Sequence, residues 1–153
     1  MAVYEFELER VIAAPIEAVF DRLADIEGHH DWMPHKRTIF RATEQTSPGP
    51  PRRGTTYVDR TSVGSTPGEI AVFERPTRLV YHWWEPWRGR IIAEGWPGYE
   101  LTDAGDGTTR VRHTARLQVR GTRQLAMPVY RVLAKRERTT TLEALQASFA
   151  QEQ

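Results

Sequence analysis

At 153 residues, 39% of them hydrophobic, the chain is long enough to bury its own core and too apolar for a disordered segment. A formal net charge of +1, from 21 Lys and Arg against 20 Asp and Glu, lacks the strongly basic balance of a nucleic-acid binder, and no apolar run approaches the roughly 20 residues of a membrane span. The absence of Cys removes disulfides, thiolate metal sites and a Cys nucleophile together.

In chain order, residues 4–14 read as a strand, because Tyr4, Phe6 and Leu8 alternate with Glu5, Glu7 and Glu9. Ala14-Pro15 ends it, and Ile16, Val19, Phe20 and Leu23 follow at helical spacing. Residues 25–35 read as a second short helix or turn, broken by Gly28 and Pro34. Residues 36–46 read as a strand, and 47–54, with three Pro and two Gly, as a loop. Four strands are expected next: 55–63, 69–74 after a turn at 64–68, 78–85 after a turn at 75–77, and 90–102. In the last of these Gly95, Pro97 and Gly98 mark a bulge or bend.

After a turn at 103–107 comes a strand over 108–120. Thr109, Val111, His113, Ala115, Leu117 and Val119 share one face, and Arg110, Arg112, Arg116 and Arg120 share the other, a ladder that carboxylates should balance. A long helix over 122–151 closes the chain, with Pro128 tolerable in its first turn or at a kink. Leu142, Leu145 and Phe149 form its apolar stripe. Met127, Tyr130 and Ala134 fall on roughly the same face, while Val129, Val132 and Leu133 point elsewhere. The order is that of an α+β domain, 1–153, in which a long helix covers an antiparallel meander. If the sheet curls, the two enclose a space.

The aromatic run Tyr81-His82-Trp83-Trp84 puts rings on both faces of its strand, and parity leaves open whether Leu79, Tyr81 and Trp83 or Val80, His82 and Trp84 face inward. His113 lies on the apolar face of the last strand. It is either a core His satisfied by a neighbouring strand or a group that orients a ligand or takes a proton. Asp59, Arg60, Glu74, Glu94 and Glu100 lie in strands, and any one turned inward unpaired would be a functional candidate. His29, His30, Asp31 and His35 read as a solvated polar turn rather than a metal site. No metal or other cofactor is expected.

The segment Arg10-Val11-Ile12-Ala13-Ala14-Pro15-Ile16-Glu17-Ala18-Val19-Phe20, then Leu23-Ala24-Asp25-Ile26 and Asp31-Trp32-Met33-Pro34, resembles the opening of the START-like (SRPBCC) superfamily. Gly54-Thr55-Thr56, Phe73-Glu74-Arg75-Pro76-Thr77-Arg78-Leu79-Val80-Tyr81 and Gly107-Thr108-Thr109-Arg110-Val111 resemble its later strands, nearest the polyketide cyclase/dehydrase and lipid-transport branch. The resemblance implies a helix-grip fold: a curved antiparallel sheet of about seven strands around a long C-terminal helix, two short helices after strand 1, and a hydrophobic cavity between. Members bind lipids, sterols, polyketides or aromatic compounds, and some are cyclases or aromatases. Trp32 would then plug one end of the cavity.

The expected ligand is a hydrophobic, ring-containing small molecule, carried or sensed, with Trp32, Tyr57, Tyr81, Trp83, Tyr99, His113, Met127 and Tyr130 against it. Were the chain a cyclase, His113, Tyr57, Tyr81 and Tyr99 would handle the proton transfers. A third reading is a protein-interaction module using Val129 and Leu133. The first ten residues show no basic start or apolar stretch, so no signal peptide is read. A cytoplasmic monomer or weak homodimer is expected, with neither nucleic acid nor stable membrane insertion.

Overall fold

The computed structural model describes residues 1–150. Seven antiparallel strands form one sheet in the order β1-β7-β6-β5-β4-β3-β2. They are β1 Ala2–Ile12, β2 Phe40–Gln45, β3 Thr56–Thr61, β4 Gly64–Glu74, β5 Arg78–Trp87, β6 Arg90–Gly105 and β7 Thr108–Val119. Between β1 and β2 lie α1 (Ile16–Ala24) and α2 (His29–Trp32). After β7 a 3-10 turn over Gly121–Ala126 leads into α3 (Met127–Ala150). Pro128 therefore falls in the first turn of α3, where its missing N–H costs no helical bond. This is the expected helix-grip arrangement.

The period-2 patterns decide which face of the sheet α3 covers. Along β1 every second residue is withdrawn from solvent, and along β7 Val111, His113 and Leu117 are buried between exposed Arg110, Arg112 and Arg116. The outer Arg side chains pair with acids on neighbouring strands: Arg110 with Glu9 at 3.0 Å, Arg112 with Glu7 and with Glu100 at 3.2 Å, and Arg116 with Glu5 at 3.4 Å. Such exposed pairs add little stability individually. On the inner side α3 also ties down an edge strand, since Gln146 Nε2 donates to the Val11 carbonyl at 2.9 Å.

Two expected local features take another form. Residues 64–68 are strand rather than turn: β4 begins at Gly64, and the turn is confined to Ser62-Val63. Pro67 is tolerated there because it pairs with Val58 of β3 at a point where the pairing of β4 with β5 has not yet begun. In β6, Gly95, Pro97 and Gly98 cause no register shift, since Val80↔Gly98 and Trp83↔Gly95 belong to one register. The shift between β5 and β6 lies nearer the start of β6, where Glu85↔Ala93 gives way to Pro86↔Ile91.

Two apolar clusters hold helix and sheet together. The larger joins α1, the end of α2 and the C-terminal half of α3 to the sheet through Ile12, Phe20, Leu23, Leu79, Val111, Leu142, Leu145 and Phe149. The smaller joins the start of α3 to the sheet through Ala93, Leu117, Val119 and Met127, with Trp83, Tyr130 and Ala134 against them. Between the clusters Glu137 of α3 is buried. It accepts from the Thr38 hydroxyl and, at 2.9 Å, from the Ile39 amide, which clamps the segment before β2 onto the helix. Among the described residues no helix is long and apolar enough to cross a membrane.

Candidate functional site: a cavity between sheet and helix

The space between the two clusters is a cavity of about 620 Å³. That is ample for a small organic ligand. Its floor depends on two glycines. Along one row of the sheet Tyr57 pairs with Gly68, Gly68 with Trp83, and Trp83 with Gly95. A Cβ on Gly68 would stand 2.4 Å from the Tyr57 ring, and one on Gly95 would stand 2.6 Å from the Trp83 ring. Each large ring thus lies over a residue with no side chain, and both stay close to the sheet.

Parity on β5 resolves in favour of Leu79, Tyr81 and Trp83, which face α3, with Tyr81 and Trp83 lining the cavity. His82 and Trp84 lie on the outer face, where His82 stacks on Trp96 at 4.8 Å and bonds Glu94 at 2.9 Å. The inner rings continue as an edge-to-face chain: Tyr57 to Tyr81 at 5.5 Å, Tyr81 to His29 at 5.9 Å, and His29 to Trp32 at 5.6 Å.

His29 is therefore not part of a solvated turn. It is buried, and its Nε2–H donates to the Leu23 carbonyl at 2.9 Å. The Tyr81 hydroxyl donates to the same oxygen at 2.6 Å. Leu23 is in the last turn of α1, whose carbonyls have no helical partner, so two cavity side chains satisfy a helix end. Burial pushes His29 down to about 4. His30 and Asp31 point outward, paired at 3.0 Å, so the four residues do not converge.

The structure puts Trp32, Tyr57, Tyr81, Trp83, Tyr99 and Tyr130 on the cavity wall, but not His113 or Met127. His113 is wholly buried behind Tyr99, its ring stacked on the tyrosine at 4.2 Å and 8°. Nδ1–H donates to the Gly98 carbonyl at 2.7 Å, while Nε2 has no partner. Burial, followed by the Arg138 charge, pushes it down to about 3, and it is a neutral core residue. Met127 packs instead into the smaller cluster. Val129 and Leu133 both line the cavity, Val129 while staying largely exposed, so the two do not form an outward patch separate from it.

Polar groups that the sequence left unassigned complete the wall. Asp59 stands two residues beyond Tyr57 on β3 and so faces the same way. Burial pushes its carboxyl up to about 6, against the opposing influence of Thr43 and Arg138. Thr43 is its cross-strand neighbour, yet the Thr43 hydroxyl has no hydrogen bond of ordinary geometry. From α3 come Arg138 and Thr141, and Glu85 accepts from the Tyr130 hydroxyl at 2.9 Å. Burial, with Glu85 beside it, holds Tyr130 up at about 12. Burial likewise raises Tyr57, Tyr81 and Tyr99, so all three are neutral donors. The Tyr57 and Tyr99 hydroxyls make no hydrogen bond among the described residues. The Trp32 indole N–H is also buried without a partner.

Known proteins share this architecture. The aromatase/cyclase ZhuI from Streptomyces sp. R1128 is 15% identical, with a TM-score of 0.79 over 97% of this chain and 94% of that one. The protein TTHA0849 from Thermus thermophilus is 15% identical, with a TM-score of 0.73 over 97% of this chain and 99% of that one. The di-domain aromatase/cyclase StfQ from the steffimycin biosynthetic pathway is 16% identical, with a TM-score of 0.70 over 98% of this chain and 51% of that one. Identities this low speak for the fold alone. No curated protein matches the sequence. Residues 4–150 match the family described as polyketide cyclase / dehydrase and lipid transport, and the chain belongs to that family.

Proposed function

We propose that the protein binds a hydrophobic, ring-containing, polyketide-like molecule in the cavity between the sheet and α3, as its carrier or sensor. The observation that carries this reading is the 620 Å³ space walled by Trp32, Tyr57, Tyr81, Trp83 and Tyr99. Flat rings are held by stacking and by apolar area removed from water, worth about 25 cal/mol per Å². The free hydroxyls of Tyr57 and Tyr99 would fix the ligand's orientation.

Asp59 favours a second reading, that of a cyclase. A carboxylate that titrates near 6 inside an apolar cavity is suited to general-base work. It would take a proton from the methylene between two ketones. The enolate carbon would attack a third carbonyl of the same chain, and the resulting alkoxide would take a proton from Tyr57 or Tyr99. The tyrosinate would then remove the second methylene proton while the hydroxyl leaves as water with the proton held by Asp59, which restores both groups. The cavity would contribute by holding a flexible chain folded. In this reading Asp59, not His113, is the base.

Native mass spectrometry of the purified protein, incubated with lipids, sterols and polyphenolic or polyketide compounds, tests both. A carrier gives an adduct at unchanged ligand mass. A cyclase gives a product lighter by one water, and Asp59→Asn abolishes it. No adduct from a folded protein would overturn both readings.

A further inference from the structure

Three charged side chains on the cavity wall, Asp59, Arg123 and Arg138, make no hydrogen bond of ordinary geometry and no ion pair among the described residues, and of the two cations Arg123 is exposed whereas Arg138 is not. Glu85 receives the Tyr130 hydroxyl, Glu137 is held by Thr38 and the Ile39 amide, and Arg116 pairs with Glu5 on the outer face. Arg138 lies half-buried on α3 and makes no hydrogen bond or ion pair among the described residues. Its charge is felt by His29 on α2, Tyr57 and Asp59 on β3, Tyr99 on β6 and His113 on β7. Arg138 thus lines the cavity within electrostatic reach of the sheet opposite. A half-buried cation without a partner is partly desolvated and uncompensated, and a guanidinium offers five donors in a planar fork matched to oxyanions. The free hydroxyls of Tyr57 and Tyr99 face the same space, and Thr141 follows Arg138 one turn along the helix.

We propose that Arg138 is an anion subsite, and that the ligand is a ring-bearing acid whose carboxylate or enolate oxygen meets the guanidinium while its rings lie against Tyr57, Tyr81 and Trp83. This rests on the cavity reading above and narrows it: a neutral sterol or triacylglycerol would leave Arg138 uncompensated. Asp59 sets the sign of the background field. Its carboxylate opposes an incoming anion, so removing that charge strengthens the subsite.

Two fluorescent probes separate the subsite from the cavity. Both 8-anilino-1-naphthalenesulfonate and N-phenyl-1-naphthylamine carry the same rings, but only the first has a permanent negative charge. At pH 7.5 Arg138→Gln should weaken the sulfonate about tenfold or more, the scale of a charged hydrogen bond, and leave the neutral probe within about twofold. Arg138→Lys should keep part of the sulfonate affinity, and Asp59→Asn should raise it. Circular dichroism confirms that each variant is folded. Equal sulfonate affinity in the wild-type and Arg138→Gln proteins would overturn the subsite, as would parallel loss of both probes. If the neutral probe binds and only the charge dependence is missing, the cavity reading survives. If neither probe binds the wild-type protein, the cavity reading fails and the subsite falls with it.

Discussion

Tyr57 and Asp59 are two residues apart on one strand, so the pleat that turns the ring inward turns the carboxyl inward as well. The burial that favours the ring disfavours the charge. Asp59 titrates at about 6 in the folded chain against an ordinary value of 3.8, so the folded state holds the proton more tightly than the unfolded one. The carboxylate's destabilisation is therefore full above about pH 6 and disappears as the pH falls toward 3.8. Asp59→Asn should raise the urea midpoint at pH 8 and lose that advantage near pH 4; an advantage constant with pH would contradict this. His29 and His113 act in the opposite sense. Their folded values, about 4 and about 3, lie below the ordinary 6.5, so their contribution is intact above 6.5 and is lost as the pH falls. His113→Gln should lose less stability than the wild-type protein between pH 7 and 4.5 in the same denaturation series. In the sequence Asp59 stood only as one of five charged strand residues that could turn inward, although it shares strand parity with Tyr57. Arg138 was equally within reach, since 134, 138, 141 and 145 share one helical face, but a charged residue on a long helix reads by default as solvated.

At the scale of elements, alternating apolar and polar residues in β1 and β7 were enough to place the covered face. Composition misled where it overrode pairing. Gly64 to Gly68 has the residues of a turn, yet the two-residue turn at 62–63 and the unpaired side of β4 let that segment run as strand. The role of Gly68 and Gly95 could not be read along the chain at all, because it depends on which ring lies across from them on the next strand. Gly95→Ala should force the Trp83 ring up from the sheet, cost about 1–3 kcal/mol and lower the affinity for a neutral aromatic probe. Unchanged affinity would contradict this account of the cavity floor. On α3, Leu145 is wholly buried, and Leu145→Ala should cost about 2–5 kcal/mol in chemical denaturation. Val132→Ala, on the exposed side of the same helix, should change stability by less than about 0.5 kcal/mol.

At the scale of the molecule, helix and sheet touch through two apolar clusters and part between them. Order and spacing of many weak signals made that arrangement readable. The chemistry of the gap was less so, because its wall draws on α2, α3 and strands that are remote in sequence. A molecule filling the gap joins both clusters. A ligand present at about 100 times its dissociation constant should therefore add about 2.7 kcal/mol to folding stability. The most direct test uses the indole N–H resonances of the five Trp during titration with N-phenyl-1-naphthylamine. Trp32 and Trp83 line the cavity, whereas Trp84 and Trp87 do not. Shifts at Trp32 and Trp83, with Trp84 and Trp87 unmoved, are the predicted result. Shifts confined to Trp84 and Trp87, or none at saturating probe, would contradict a ligand cavity between the sheet and α3.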